Sequence, residues 1–335
     1  MATPGDVARA QRAWPRRHAA RRTRPGQASR FALARSVKRP AGMDAETFHA
    51  RRRFAETPSG RIAYVEQGRG PAAVFLHGVP LNGFHWRHVI DAVGDLRRCI
   101  ALDLMGLGYS EIRPDQDVSF TAQARMLAEL CDALDLGPID LVGNDSGGGI
   151  AQLFAAGHPE RLRTLTLTNC DTHDNWPPEA VKPIIEAARS GALTEAARLM
   201  LADPGFARSP AGLGVGYAHP SAPTDEALRV YLEPLLATPE RIENMRRYWL
   251  SFDCAQTVAI EPALRRLRVP TLVVWGLADV FFDVRWARWL RDTIPGVTRL
   301  IEVPEAKLFF PEDRPEALIG PLRELWTNQT PRREP

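Results

Sequence analysis

The chain has 335 residues, 44% of them apolar, which is enough to bury one large core or two modest ones. Its 43 Lys and Arg against 40 Asp and Glu give a formal charge of +3. Eleven of those cations and one acid, Asp6, fall in residues 1–42, so that segment carries +10 and the remainder −7. No run approaches the ~18 apolar residues of a membrane span. The four cysteines (Cys99, Cys131, Cys170, Cys254) form no CxxC pair and have no histidine at metal spacing. A membrane protein, a disulfide scaffold and a zinc module are thereby excluded, and a reduced, soluble, cytoplasmic protein without metal or cofactor is expected.

Residues 1–42 have few aromatics, no helical apolar stripe and no apolar stretch of the kind a secretory signal needs. They read as a disordered basic arm, with neither nucleic acid nor a membrane expected as partner, and Met43 is a candidate start. From residue 54 short β-like runs alternate with helical ones, the order of an α/β protein with a mostly parallel, doubly wound sheet. Phe54 to Thr57 and Arg61 to Glu66 read as a hairpin around Pro58-Ser59-Gly60. Ala72 to Leu76 and Cys99 to Leu102 read as buried strands, and Phe120 to Leu136, with apolar residues at helical spacing, reads as a helix ended by Gly137-Pro138.

The next strand, Ile139 to Val142, runs into Gly143-Asn144-Asp145-Ser146-Gly147 and then a helical run from Gly148 to Ala156. Small residues two before and two after one side chain, at a strand-to-helix turn, make a nucleophile elbow that thrusts that side chain out under strain. The glycine frame puts Asp145 there. Taking Ser146 instead would place Asn144 at the first small position and slip the strand by one residue; a third reading is a glycine-rich turn with an incidental Asp.

Strands follow at Leu162 to Thr168, Thr271 to Trp275 and Arg299 to Val303. Between Asp171 and about Ile260 the alternation stops, and helices broken by Pro177-Pro178, Pro204-Gly205 and a Gly/Pro-rich stretch take its place. An insertion of this kind sits over the carboxyl ends of the strands, where ligands bind. The division expected is therefore a basic arm (1–42), an α/β core (43–170 and 261–327), a helical cap (171–260) and a tail (328–335).

Four motifs in this order, His77-Gly78-Val79-Pro80, Asp103-Leu104-Met105-Gly106-Leu107-Gly108-Tyr109-Ser110, the elbow, and Trp275-Gly276-Leu277-Ala278-Asp279, make residues 54 to 327 resemble the α/β-hydrolase family. The aspartate at the elbow is similar to the haloalkane dehalogenase and epoxide hydrolase branch. The resemblance implies Asp145 as nucleophile, Asp279 as its acidic partner, and the backbone N–H groups of Val79 and Ser146 as the oxyanion hole. Donors fixed at a turn and a helix N-terminus stabilise developing negative charge without reorganising. His77 is expected to order its own turn.

After the last strand the family usually has a Pro-Gly-Ala-Gly-His-like turn. Here the chain reads Pro304-Glu305-Ala306-Lys307-Leu308, with Leu308 on the histidine position and no histidine beyond His219. The first half-reaction, attack on carbon to give an ester, remains open, while the base-assisted cleavage of that ester should stall. Ser146 and Val79 also stand where dehalogenases commonly carry Trp and often Asn. Tyr217, Tyr231 and Tyr248 are candidates to polarise an epoxide oxygen, His173 is the best substitute base, and His85 and His88 suit surface or cap contacts better. Trp249 and Phe252 are candidates for an apolar pocket wall. A hydrolase-like enzyme for a small or medium apolar substrate is the first expectation. A non-hydrolytic isomerase, lyase or cyclase using Asp145 as acid/base, and a ligand-binding protein without turnover, are the others.

Overall fold

A computed structural model describes residues 42–328. Of the basic arm, all but its last residue lies outside the described residues, as does the tail beyond Asn328. A short helix α1 (Ala45–Ala50) leads into the hairpin of β1 (Arg52–Thr57) and β2 (Gly60–Gly68). Then come β3 (Ala72–Leu76), α2 (Arg87–Val93), β4 (Arg98–Leu102), α3 (Phe120–Ala133), β5 (Ile139–Asp145), α4 (Ser146–Gly157) and β6 (Leu162–Cys170). Helices α5 (Lys182–Ser190), α6 (Ala192–Ala202), α7 (Pro204–Arg208), α8 (Asp225–Leu236), α9 (Pro239–Leu250), α10 (Ala255–Ala259) and α11 (Glu261–Leu264) fill the interval before β7 (Thr271–Gly276). The chain closes with α12 (Val284–Thr293), β8 (Val297–Val303), α13 (Phe310–Asp313) and α14 (Glu316–Thr327).

The sheet order is β1-β2-β4-β3-β5-β6-β7-β8. The hairpin is antiparallel to itself and to β4, and every pairing from β4 through β8 is parallel. Central β5 is buried along its whole length, which is why its sequence shows a continuous rather than an alternating run. Near its start Asp140 accepts hydrogen bonds from Arg97 Nε at 2.6 Å, Arg163 at 3.0 Å and Thr164 Oγ1 at 2.8 Å. A buried carboxylate so enclosed by donors is tolerable where a bare one would not be.

Helix α4 is buried from Ser146 through Ala155 and lies close to the sheet because its first residues are glycines. A Cβ on Gly147 would fall on the carbonyl oxygens of Leu76 and His77, so any side chain there would lift the helix off β3. The helices between β6 and β7 pack above the carboxyl end of β5, and that places the site.

Candidate active site

Asp145 ends β5 with φ 56° and ψ −132°, a left-handed backbone that costs a non-glycine residue of order 1–3 kcal/mol. The turn aims its side chain back over the strand ends, where Val79 N–H donates to Oδ2 at 3.1 Å and the Ser146 N–H also reaches the carboxyl. Opposite it, a Cβ on Gly78 would occupy the carboxyl's own place, so the HGxP turn closes on Asp145 only as glycine.

Two motifs hold that turn. His77 lies with its Nδ1 2.8 Å from the Gly78 carbonyl, while its Nε2 accepts from Leu104 N–H at 3.0 Å. These contacts fix a neutral ring, and burial pushes its pKa down to about 3. Asp103 accepts from Gly83 N–H and Tyr109 N–H, both at 2.8 Å, tying the segment after the turn to the loop after β4. His77 thus ties the turn after β3 to the loop after β4.

Asp279, in the loop after β7, accepts from Asn169 Nδ2 at 2.7 Å and from Phe281 N–H at 2.9 Å. Burial outweighs these donors and raises it to about 7. Asn169 also accepts from Gly276 N–H at 2.6 Å, so one residue of β6 positions the acid. Leu308 is buried on the cavity wall, and its carbonyl accepts from Asn144 Nδ2 at 3.0 Å. The backbone that would present a histidine is thus tied to the elbow, but carries an apolar side chain.

A cavity of about 170 Å³ opens onto Asp145. Val79, Ile184, Met200, Trp249, Phe252 and Leu308 make much of its wall. Its acidic lining residues are Asp145 and Asp171; no histidine lines it among the described residues. Asp171, just past β6, is 1% exposed, and neither of its carboxyl oxygens has a hydrogen-bond partner among the described residues. Burial raises Asp145, and the Asp279 charge raises it further; burial and the Asp145 charge raise Asp171 well above the ordinary range.

The sequence candidates divide accordingly. Trp249 and Phe252 line the cavity beside Asp145. His173 does not: with φ 49° its ring turns to Glu261, Nε2 to Oε2 2.9 Å, and packs against Trp289 at 4.9 Å between centroids. A hydrogen-bonding carboxylate and two tryptophans are better partners for an imidazole than an apolar wall. Tyr217 and Tyr231 are also turned away, each donating its hydroxyl to Glu312 Oε2, at 2.7 and 2.8 Å. Tyr248 donates to Ser146 Oγ at 3.0 Å. His85 is fully buried rather than superficial, its Nδ1 3.6 Å from Glu312 Oε2. Arg87 completes that cluster 2.9 Å from Glu312 Oε1; burial opposes ionisation of Glu312, yet the charge of Arg87 holds it well below the usual range. Lys307 is not on the cavity wall. Asp171 and the Arg87–Glu312 cluster are what sequence reasoning missed.

Comparison with known proteins agrees with this architecture. Residues 71–193 match the family described as alpha/beta hydrolase fold. The chain is 28% identical over 298 residues to haloalkane dehalogenase 2 of Mycobacterium tuberculosis, covering 84% of this chain and 96% of that one. It is 26% identical over 292 residues to a cis-3-alkyl-4-alkyloxetan-2-one decarboxylase of Shewanella oneidensis, covering 83% and 88%. The crystal structure of an alpha/beta hydrolase fold protein from Burkholderia ambifaria superposes with a TM-score of 0.71 at 24% identity, covering 81% of this chain and 96% of that one.

Proposed function

Because this chain belongs to the α/β-hydrolase fold family, on its haloalkane dehalogenase-like branch, we propose that it is an enzyme in which Asp145 attacks a carbon of a small apolar electrophile. The observation that carries this reading is a strained elbow carboxylate, already bonded to a backbone N–H, that faces an apolar cavity of about 170 Å³. Attack by one carboxyl oxygen leaves the other on the Val79 and Ser146 N–H groups, and the same donors then stabilise the tetrahedral oxyanion when the ester is cleaved. A donor of this sort is worth about 10²–10³ in rate. The leaving atom departs into a space with no cation on its wall among the described residues. Trp249 supplies the cavity wall with a buried indole N–H that has no partner among the described residues.

Incubation with small bromoalkanes and epoxides in heavy-oxygen water tests this. The peptide containing Asp145 should acquire the alkyl group or, once the ester is cleaved, the heavy oxygen, and Asp145→Asn should acquire neither. Label entering product directly, or reaction persisting in Asp145→Asn, would refute the covalent route.

The carboxyl-only acidic lining favours a second reading, proton transfer by Asp145 in an isomerase or lyase. One relative is by name a decarboxylase, so non-hydrolytic chemistry occurs on related chains. Solvent deuterium in a product formed without water addition would distinguish it.

A further inference from the structure

We propose that Asp171 is a second catalytic residue, giving a proton to the leaving atom in the first half-reaction and taking one from water in the second, in the place the family gives to histidine. This rests on Asp145 being the attacking carboxylate. Three observations carry it. Asp171 lines the same cavity as Asp145. It is 1% exposed with both oxygens unpartnered among the described residues, in a structure whose other buried acids in this region are tied to donors. Its main chain is fixed: Gln152 Nε2 donates to the Asp171 carbonyl at 2.8 Å, and Asp145 pairs with the preceding Cys170 across β5 and β6. An unpaired buried carboxyl costs several kcal/mol if ionised, and a structural role offers nothing in return.

The donors decide where the charge rests. Two carboxyls buried in one largely apolar cavity do not both ionise near neutrality. Val79 and Ser146 N–H groups stabilise an anion on Asp145 and nothing does so on Asp171. The shared proton therefore sits on Asp171 while Asp145 is the carboxylate. The groups facing this pair are Asp279 from the β7 loop, Cys170 from β6 and the Tyr248 hydroxyl from α9. None is a cation, so none displaces the proton.

The step balances for a strained cyclic ether. An Asp145 oxygen bonds to ring carbon as the carbon–oxygen bond breaks, and the freed oxygen takes the Asp171 proton, leaving a hydroxyalkyl ester and an Asp171 carboxylate. Asp171 then removes a proton from water as its oxygen adds to the ester carbonyl. When the tetrahedral adduct collapses, Asp171 returns that proton to the departing alkoxide. Asp145 emerges as the acid and passes its proton to Asp171; the sum is ether plus water to diol. Halide, which needs no proton to leave, would not use the first role, so the pair favours an oxygen leaving atom over a halogen.

The test uses the full chain with styrene oxide and small alkyl epoxides, comparing wild type, Asp171→Asn and Asp171→Ala. Wild type should form diol, with heavy oxygen from water entering Asp145. Asp171→Asn should lower diol formation at least 100-fold and accumulate the Asp145 ester by intact mass, with the thermal midpoint kept. Formate should restore turnover to Asp171→Ala, which a packing role would not allow. Turnover by Asp171→Asn within a few-fold of wild type overturns the proposal, as does an ester that forms in wild type and is never cleaved; in both, Asp145 keeps its role. A wild type that reacts with none of these epoxides, or that gives diol without label at Asp145, overturns this proposal together with the reading it rests on.

Discussion

Replacing both Asp145 and Asp171 by Asn should change how stability depends on pH more than it changes stability itself. Both carboxyls are held above the ordinary Asp value of 3.8, chiefly by burial. A carboxyl raised in the folded state binds a proton that the unfolded chain has already released. Its contribution is complete below the unfolded value and is lost as pH rises toward the folded one. Each proton so retained gives a slope of about 1.4 kcal/mol per pH unit. Between pH 5 and 7 the pair retains at least one, and wild type should lose about 2.7 kcal/mol that the double variant keeps. For a chain of this size that is about 4–5 °C in Tm. Asp279, raised to about 7, adds to the slope of both proteins, and because its charge and that of Asp145 repel, it adds no less in wild type than in the variant, so the difference is a lower bound. Urea unfolding at closely spaced pH values measures it. Parallel curves for the two proteins would refute the reasoning, since they would mean both carboxyls ionise in the folded protein as they do in water.

Leu308→His should place an imidazole on the cavity wall at the position the family uses, lower the pKa of Asp145, and speed cleavage of an Asp145 ester by about 10²–10⁴; pre-steady-state decay of the ester reads it, and an unchanged decay contradicts it. Glu312→Leu leaves Arg87 buried without its carboxylate and two tyrosine hydroxyls without their acceptor. A loss of about 3–5 kcal/mol in urea unfolding is expected, and one under 1 kcal/mol would show that Arg87 finds another partner. Gly78→Ala forces a methyl onto the Asp145 carboxyl, so labelling of Asp145 by epoxides should fall at least 100-fold. Near-normal labelling would show that the HGxP turn yields.

The turn at Asp145 was legible because its constraint is local: glycines two before and two after Asp145 follow from backbone approach within five residues, and the mostly parallel sheet followed from alternating strand and helix patterns, though the order of its strands did not. Asp171 was not legible, because its meaning lies in an adjacency. The residue after β6 comes beside the elbow only when β5 and β6 pair with Asp145 opposite Cys170, a register shifted by an irregularity between Asn144 and Asp145. In sequence it is the first residue of a polar turn, Asp171-Thr172-His173-Asp174. His173 drew attention there by its chemistry, and a positive φ then turned it toward Glu261. The Arg87–Glu312 cluster was hidden for a similar reason, since its members are 225 positions apart in the chain and charged residues read as surface.

That cluster also decides how firmly each side of the cavity wall is held. Tyr217 and Tyr231 fasten the segment before α8 and α8 itself to a core carboxylate, Asn82 donates to Val230 at 2.7 Å, and Arg241 at the start of α9 holds the carbonyls of Gly108 and Ser110 at 2.9 Å. Releasing α8 with the segment before it would take two hydroxyls from a buried charge network, and releasing α9 would cost Arg241 those two carbonyl partners. By contrast α5 and α6 each bury a single residue, Ala188 and Ala197, yet Ile184, Leu193 and Met200 from them wall the cavity. The wall of the cavity is therefore of two kinds, a lightly buried side made by α5 and α6 and a tied side made by α8 and the start of α9.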